Sequence, residues 1–124
     1  MSQENLLKMA QASIEAGVSI TLAGTSIPHG MSYPITYNFG VPHGLACAEF
    51  LPDYLRICEE TTVHKLLAAL GYESVEKLES VISEFVTKKA LTNDQKEDFT
   101  SALFSSGKLK AHGPVERDVI LKMW

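Results

Sequence analysis

The residues best suited to chemistry in this sequence are two histidines, each set in a Pro-His-Gly tripeptide. The histidines are His29, between Pro28 and Gly30, and His43, between Pro42 and Gly44. Each falls in or near the first turn of a predicted helix, where the helix dipole favours the neutral imidazole that a metal ion needs. Each following glycine leaves space for a ligand beside the ring. The pattern indicates a pair of metal ligands, with two ordinary helix-start histidines as the alternative.

Two ligands do not make a catalytic metal site, because zinc or ferrous iron at such a centre usually takes at least three. Glu60 and His64 have the i, i+4 spacing that lets two side chains face one ion from a single helix, but an exposed ion pair is the favoured interpretation. Glu49 and Asp53 share that spacing and are expected to be solvated charges. His112 precedes a Gly-Pro pair and is expected in a solvated loop.

Other chemistries have less support in the sequence. It contains no GxGxxG or GxxxxGK[ST] loop that would cradle phosphate, and no GxSxG motif. We therefore predict no cofactor-binding residues. Cys47 lies four residues after His43 and could face it across a helical turn. A cysteine–histidine pair without an orienting residue or a visible oxyanion hole is weak support for nucleophilic catalysis.

Composition and charge limit the partners of the chain. Its 124 residues fit one domain, which we expect to span residues 1–124, and its 45% apolar and 21% charged residues are typical of a soluble globular protein. A net charge of −4 with scattered basic residues argues against nucleic-acid binding. No apolar run reaches the roughly 20 residues of a membrane span. Because the start also lacks the basic region of a signal peptide, we expect a cytoplasmic protein with free cysteines.

The elements that would position these residues are helices, and we expect an all-α fold. Residues 3–23 predict a first helix with apolar side chains nearly all round, which is typical of a helix buried on several sides. A short helix should follow Pro28 and end at Tyr33, because Pro34 disfavours helical geometry in the residue before it. Residues 35–41 should then form a loop.

The remaining helices are marked by their own start and stop signals. Pro42 suits the start of a helix that runs to about Glu59. Gly71 suits the residue that ends the next helix, and Ser74 can cap the one after it. Thr92 and Gln95 have the spacing of a capping box, and a last helix carries Val119, Ile120 and Met123 on one side.

The stretch from Ala12 to Pro52 resembles the signature region of iron-containing alcohol dehydrogenases, which have a dehydroquinate synthase-like fold. Members of that family show A-S-x-x-A-G, then a histidine beginning H-x-M-x-H-P, then P-H-G-x-x-x-A-x-x-L-P. The corresponding pieces here are ASIEAG at 12–17, HGMSYP at 29–34 and PHGLACAEFLP at 42–52. The resemblance implies the C-terminal helical portion of such an enzyme, a helical bundle corresponding to part of its C-terminal domain.

The same resemblance implies that His29 and His43 are two of four ligands of Fe²⁺ or Zn²⁺. The family's other two ligands, an aspartate and a histidine four residues later, lie earlier in the chain, as does its NAD(P)-binding domain, and no part of this sequence matches them. We therefore expect a weak or incomplete metal site and no catalysis by this chain alone. Tyr33 stands where many members carry a second histidine, which makes it a substrate-pocket candidate together with Met31 and Phe39.

Two classes of function follow from these observations. The first is the metal-binding portion of an NAD(P)-dependent enzyme, which would act on a small alcohol or aldehyde only if an N-terminal part completes it. The second is a non-enzymatic helical interaction module or truncated gene product that has lost catalysis, since ancestry does not guarantee activity. In both cases the apolar first helix predicts a homo-oligomer, because a symmetric dimer would cover side chains that one copy cannot bury.

Overall fold

The computed structural model describes residues 2–124, and of residues 110 and 111 only the backbone. This described part contains seven α-helices, one 3₁₀ helix and no β-strand. The helices are α1 (Gln3–Ala23), α2 (Ile27–Phe39), α3 (His43–Arg56), α4 (Glu60–Leu70), α5 (Val75–Ile82), α6 (Asn93–Ser105) and α7 (Arg117–Met123), and the 3₁₀ helix (Lys108–Ala111) lies between α6 and α7. The all-α prediction is confirmed.

Helix α2 differs most from the sequence-based expectation, because it continues through Pro34 to Phe39 instead of ending at Tyr33. The segment expected to be a loop is therefore largely helical. A proline inside a helix costs about 3 kcal/mol or more. Burying one large apolar side chain gains about 1.5–3 kcal/mol, and both Met31 and Ile35 of α2 are almost completely buried. Packing against the neighbouring helices thus outweighs the local cost of Pro34.

Helix α3 packs along α2 and forms the second wall of the candidate site. It begins at His43 with Pro42 as its N-cap residue, close to the predicted start, and it contains Pro52 without breaking. It ends at Arg56, earlier than the predicted end near Glu59. The reason is that Glu59 caps the next helix instead, where its carboxylate accepts hydrogen bonds from backbone amides of α4.

Two apolar clusters hold these helices together. The larger one joins α2, α3, α6 and α7, and its fully buried members include Ile27, Phe50 and Ile120. The smaller cluster lies between α3, α4 and α5 around Leu55 and Leu67. The larger cluster is the one that fixes α2 against α3, and it therefore sets the geometry of the two histidines.

The helix-end signals of the second half of the chain are confirmed. Gly71 ends α4 with a φ of 77°, in the left-handed region that favours glycine. The Ser74 hydroxyl accepts a hydrogen bond from the first turn of α5. Thr92 and Gln95 form the reciprocal capping box of α6. These signals act within a few residues of one another, which is why the sequence alone predicts them.

Helix α1 has no buried residue. The side chains of Leu7 and Ile14 are 67% and 69% exposed, and Leu22 is 83% exposed. One copy of the chain therefore buries no side of this helix, and its burial on several sides stays a prediction that requires a second copy. Among the described residues, no helix combines the length and apolar character that crossing a membrane requires.

Candidate metal centre

Helices α2 and α3 bring the two predicted histidines together. His29 lies in the first turn of α2, and His43 is the first residue of α3. Nδ1 of His29 lies 3.3 Å from Nε2 of His43. Two nitrogens bound tetrahedrally to one ion at zinc distances lie about 3.3–3.4 Å apart. The two imidazoles are therefore placed as ligands of one metal ion would be, and the residues present fit such an ion.

Cys47 adds a sulfur atom to this pair. It follows His43 by one turn of α3, and its Sγ lies 3.7 Å from Nε2 of His43. One ligand atom from each of His29, His43 and Cys47 lies within 4.8 Å of the others. The sequence interpretation considered Cys47 only as a nucleophile and did not consider it as a candidate metal ligand. The signal was its i, i+4 spacing from His43.

Ser32 fixes the orientation of the His43 ring. Its hydroxyl donates a hydrogen bond to the backbone carbonyl of His29 at 2.8 Å, so its proton is engaged there. The same oxygen lies 3.1 Å from Nδ1 of His43 and accepts that nitrogen's proton. The tautomer with a proton on Nδ1 leaves the Nε2 lone pair free, directed at His29. The sequence interpretation missed Ser32, because only the packing of α2 on α3 reveals this contact.

Burial and nearby positive charge favour the neutral form of His29. Burial lowers the pKa of His29 below 6.5, and the neighbouring His43 and Lys108 lower it further. The pKa of the Cys47 thiol is raised by burial, which outweighs a smaller lowering of that pKa by the nearby Ser32 side chain. A neutral imidazole at pH 7 offers its lone pair to a metal without first losing a proton.

Tyr33 lies against the same pair of helices. Its ring stacks on that of His43, with centroids 5.5 Å apart and an angle of 3° between the planes. The Lys108 ammonium lies 5.8 Å from the centre of the Tyr33 ring and donates a hydrogen bond to Thr25. Tyr33 is thus beside the candidate metal ligands. Met31, by contrast, is completely buried in the core and cannot line a pocket as expected.

A cleft of about 320 Å³ opens beside His29 and Cys47. Its other walls are mostly apolar and come from the end of α1 and from α3, including Ile20, Leu51 and Tyr54. Pockets of roughly 300–1,000 Å³ with apolar walls and a few convergent polar groups are typical of small-molecule sites. The cleft therefore provides room for a small ligand next to His29 and Cys47.

Comparison with known proteins agrees with this geometry. Residues 3–107 match the Fe-containing alcohol dehydrogenase family, C-terminal. The chain belongs to this family. The resemblance drawn from the two histidine motifs is thereby confirmed.

One curated relative gives a measure of coverage. A segment of 50 residues is 42% identical to phosphonoacetaldehyde reductase of Streptomyces viridochromogenes. That segment is 40% of this chain and only 13% of the reductase, so the match covers a small part of the relative's length. No solved structure gives a significant match to the chain.

The other candidate residues lie outside the histidine pair. Glu60 and His64 form the exposed i, i+4 pair that the sequence indicated, with 3.5 Å between carboxylate and imidazole. They line a separate cleft between α3, α4 and α5. His112 is half-buried with its ring against that of Tyr54, so the expectation of a solvated loop residue is wrong.

The expectation of solvated charges on α3 is also wrong. Glu49 is only 6% exposed, burial raises its pKa, and it accepts a hydrogen bond from the backbone N–H of Lys89. Asp53 forms ion pairs with Arg56 and with Lys88. The segment after α5 returns across α3 and covers both carboxylates, which a local reading of the sequence does not reveal.

Proposed function

We propose that this chain is the part of an NAD(P)-dependent alcohol or aldehyde oxidoreductase that holds the catalytic metal ion. Its ligands are His29 and His43. The observation that carries this proposal is the 3.3 Å approach of Nδ1 of His29 to Nε2 of His43, since the two nitrogens come from the two signature motifs of the family. Family membership supports the reaction class, and the approach of the two nitrogens supports the choice of residues.

Each residue of the site has a separate task in this proposal. A bound Fe²⁺ or Zn²⁺ supplies Lewis-acid chemistry that polarises an alcohol or carbonyl oxygen. His29 and His43 hold the ion, and Ser32 keeps the His43 lone pair directed at it. Tyr33, stacked on His43, can donate a hydrogen bond to a small alcohol or aldehyde, but at neutral pH it does not exchange protons as a histidine would.

The nicotinamide cofactor of the family is bound by other residues in this proposal, because the sequence has no phosphate-cradling glycine loop. Hydride transfer therefore depends on a segment outside these 124 residues. The alternative is a helical interaction module that keeps the family's fold without its catalysis.

Isothermal titration calorimetry with Zn²⁺ and with Fe²⁺ under anaerobic conditions tests the ligand assignment. We expect measurable but weak binding by the wild type, and loss of most of it in both His29→Ala and His43→Ala. His64→Ala is the matched control, because His64 is an exposed histidine outside the site, and it should bind as the wild type does. Tight binding that survives both substitutions would show that other residues hold the ion.

We also propose that the chain self-associates through α1 in a symmetric, antiparallel pair. The charged residues of this helix, Glu4, Lys8 and Glu15, fall within an arc of about 40° when 3.6 residues make one turn. The large apolar side chains other than Leu22 lie outside that arc, and all of them are exposed in one copy. Covering a full leucine side chain gains roughly 1.5–3 kcal/mol, so a second copy would bring a substantial gain.

The pattern along one face of α1 supports a second copy as the partner. Leu7, Ala10, Ile14 and Gly17 recur at spacings of three and four residues, as the facing positions of paired helices do. In an antiparallel pair centred on Ala12, Leu7 faces Gly17 and Ala10 faces Ile14. Each large side chain then meets a small one, and the space over Gly17 is open to receive it.

A further inference from the structure

We propose that Cys47 is a third metal ligand, so that this chain holds its ion with two imidazoles and one thiolate and favours Zn²⁺ over Fe²⁺. This assignment rests on the proposed function for the histidine pair. It goes further in two respects, because it adds a ligand that lies outside the two Pro-His-Gly motifs and because it predicts the metal preference of the site.

The distances place all three residues within reach of a single ion. For zinc–sulfur and zinc–nitrogen bonds of about 2.3 and 2.05 Å at a tetrahedral angle, the sulfur and nitrogen lie about 3.6 Å apart. The nitrogen–nitrogen distance is 3.3 Å, as such an ion requires. Cys47 Sγ lies 3.7 Å from Nε2 and 3.9 Å from Nδ1 of His43, so it lies beside the imidazole ring. One ligand atom from each of the three residues lies within 4.8 Å of the others, and a rotation of the Cys47 side chain toward Nε2 would bring its sulfur to the same ion.

The backbone holds the three ligands without a long loop between them. His43 and Cys47 lie one turn apart on α3, so their side chains leave the same face of one helix. His29 reaches them from the first turn of α2, which the main core fixes against α3. Together these residues would supply three protein ligands, the number that catalytic zinc sites commonly have.

The ligand chemistry decides the metal preference. Thiolate is a soft ligand that selects zinc, whereas sites for ferrous iron are typically two histidines and a carboxylate. When Zn²⁺ binds, the Cys47 sulfur gives its proton to solvent and donates an electron pair to the ion, and the two neutral imidazoles donate theirs. No oxidant or reductant takes part.

The chain provides its own control for this assignment. Its other cysteine, Cys58, is also free and half-buried, but it packs against the smaller apolar cluster between α3, α4 and α5. It does not belong to the group formed by His29, His43 and Cys47. Any effect of thiolate chemistry in general should appear in both cysteine variants, whereas metal ligation should appear only for Cys47.

Cobalt(II) is the probe that tests the thiolate directly, since it replaces zinc and gives a near-ultraviolet thiolate-to-metal charge-transfer band. We expect this band in the wild type and in Cys58→Ser, and its loss in Cys47→Ser and Cys47→Ala. Zn²⁺ affinity measured by calorimetry should fall on the order of 10- to 100-fold in both Cys47 variants. Losing a hydrogen bond that orients a metal ligand already lowers affinity by that much, so losing a ligand should lower it at least as far. The ratio of Zn²⁺ to Fe²⁺ affinity should fall with it, while the far-ultraviolet circular dichroism stays that of the wild type.

The possible outcomes separate this assignment from the proposal it rests on. Cobalt that binds through His29 and His43 without the band, or with a band that Cys58→Ser removes, would overturn the role of Cys47 and leave the histidine pair in place. Failure of the wild type to bind any of the three metals would overturn both. An unchanged ratio of Zn²⁺ to Fe²⁺ affinity in Cys47→Ser would overturn the metal preference.

Discussion

The hydroxyl of Ser32 lies 3.1 Å from Nδ1 of His43 and thereby determines which nitrogen of that ring faces the candidate metal centre. The serine is completely buried, so water does not compete for this contact. Its own proton is donated to the carbonyl of His29, so one side chain links both histidines. Ser32 therefore acts as a positioning residue of the site.

Replacing Ser32 with alanine should weaken metal binding without removing a ligand. We expect Zn²⁺ affinity to fall roughly 10- to 100-fold, the usual cost of losing a hydrogen bond that orients a metal-binding histidine. Calorimetry measures the affinity, and imidazole ¹⁵N chemical shifts report whether the Nδ1-protonated tautomer of His43 is lost. Ser80→Ala is the control, because that exposed serine bonds only within its own helix. Unchanged affinity together with a changed tautomer would show that the orientation of the ring does not matter.

Glu59 should make the stability of the chain depend on pH in acid. Hydrogen bonds from the hydroxyl groups of Thr61 and then Thr62, together with their backbone amides, lower the pKa of Glu59 from 4.5 to about 2. A carboxyl group with a lowered native pKa stabilises the folded state above its ordinary pKa, and that contribution is lost as the pH falls from about 4.5 to about 2. Glu59→Ala should therefore lower the unfolding temperature most at neutral pH.

Thermal unfolding followed by circular dichroism between pH 2 and pH 7 checks this dependence. The difference between wild type and Glu59→Ala should shrink as the pH falls through that window. Glu60→Ala is the matched control. Glu60 is next to Glu59 in the sequence, but its carboxylate pairs with His64 and does not cap α4. A difference that stays constant with pH would mean that the charge of Glu59 plays no part.

The 124-residue chain by itself should not oxidise alcohols. The reason is the absence from its sequence of a glycine-rich loop for a nicotinamide dinucleotide, so that no hydride acceptor is held beside the metal. Incubation of the Zn²⁺- or Fe²⁺-loaded chain with NAD or NADP and ethanol should give no absorbance change above a protein-free blank. Steady cofactor reduction that disappears in His43→Ala would contradict this expectation.

The sequence predicts those parts of the fold that short-range contacts determine. Gly71, Ser74 and the capping box of Thr92 and Gln95 act within one helical turn, so their roles can be read from neighbouring letters. Pro34 is the counter-example. Its local preference favours a break, but α2 continues because the core buries side chains on both sides of it.

In the candidate site, too, some residues can be predicted from local motifs and others depend on packing. His29 and His43 can be chosen from the repeated Pro-His-Gly motif, because the motif itself carries the signal. Cys47 and Ser32 cannot be assigned in that way, since their roles depend on how α2 lies against α3. The sequence does not predict the burial of Glu49 for a related reason, because the segment that covers this carboxylate lies 40 residues further along the chain.

The exposed face of α1 should make the chain a dimer in solution. Size-exclusion chromatography with light scattering at micromolar concentration should give twice the monomer mass of 13.6 kDa. Ile14→Glu places a charge on the proposed seam opposite Ala10 of the second copy, where it would lose its hydration, so this variant should elute as a monomer. The fold of each copy should survive, because no residue of α1 is buried within it.

Ser19→Glu is the control, since it adds the same charge to the polar side of α1 and should leave the dimer intact. The Ile14→Glu monomer should bind a hydrophobic dye, because its α1 is uncovered. A wild-type monomer that binds the dye would contradict the dimer and point to another polypeptide segment as the cover of α1. A wild-type monomer that binds no dye would show that α1 folds back onto α2–α7. If Ile14→Glu remains a dimer, the two copies must touch at some other surface. Burying an unpaired carboxylate at the proposed contact between the α1 helices would cost too much free energy for that dimer to form.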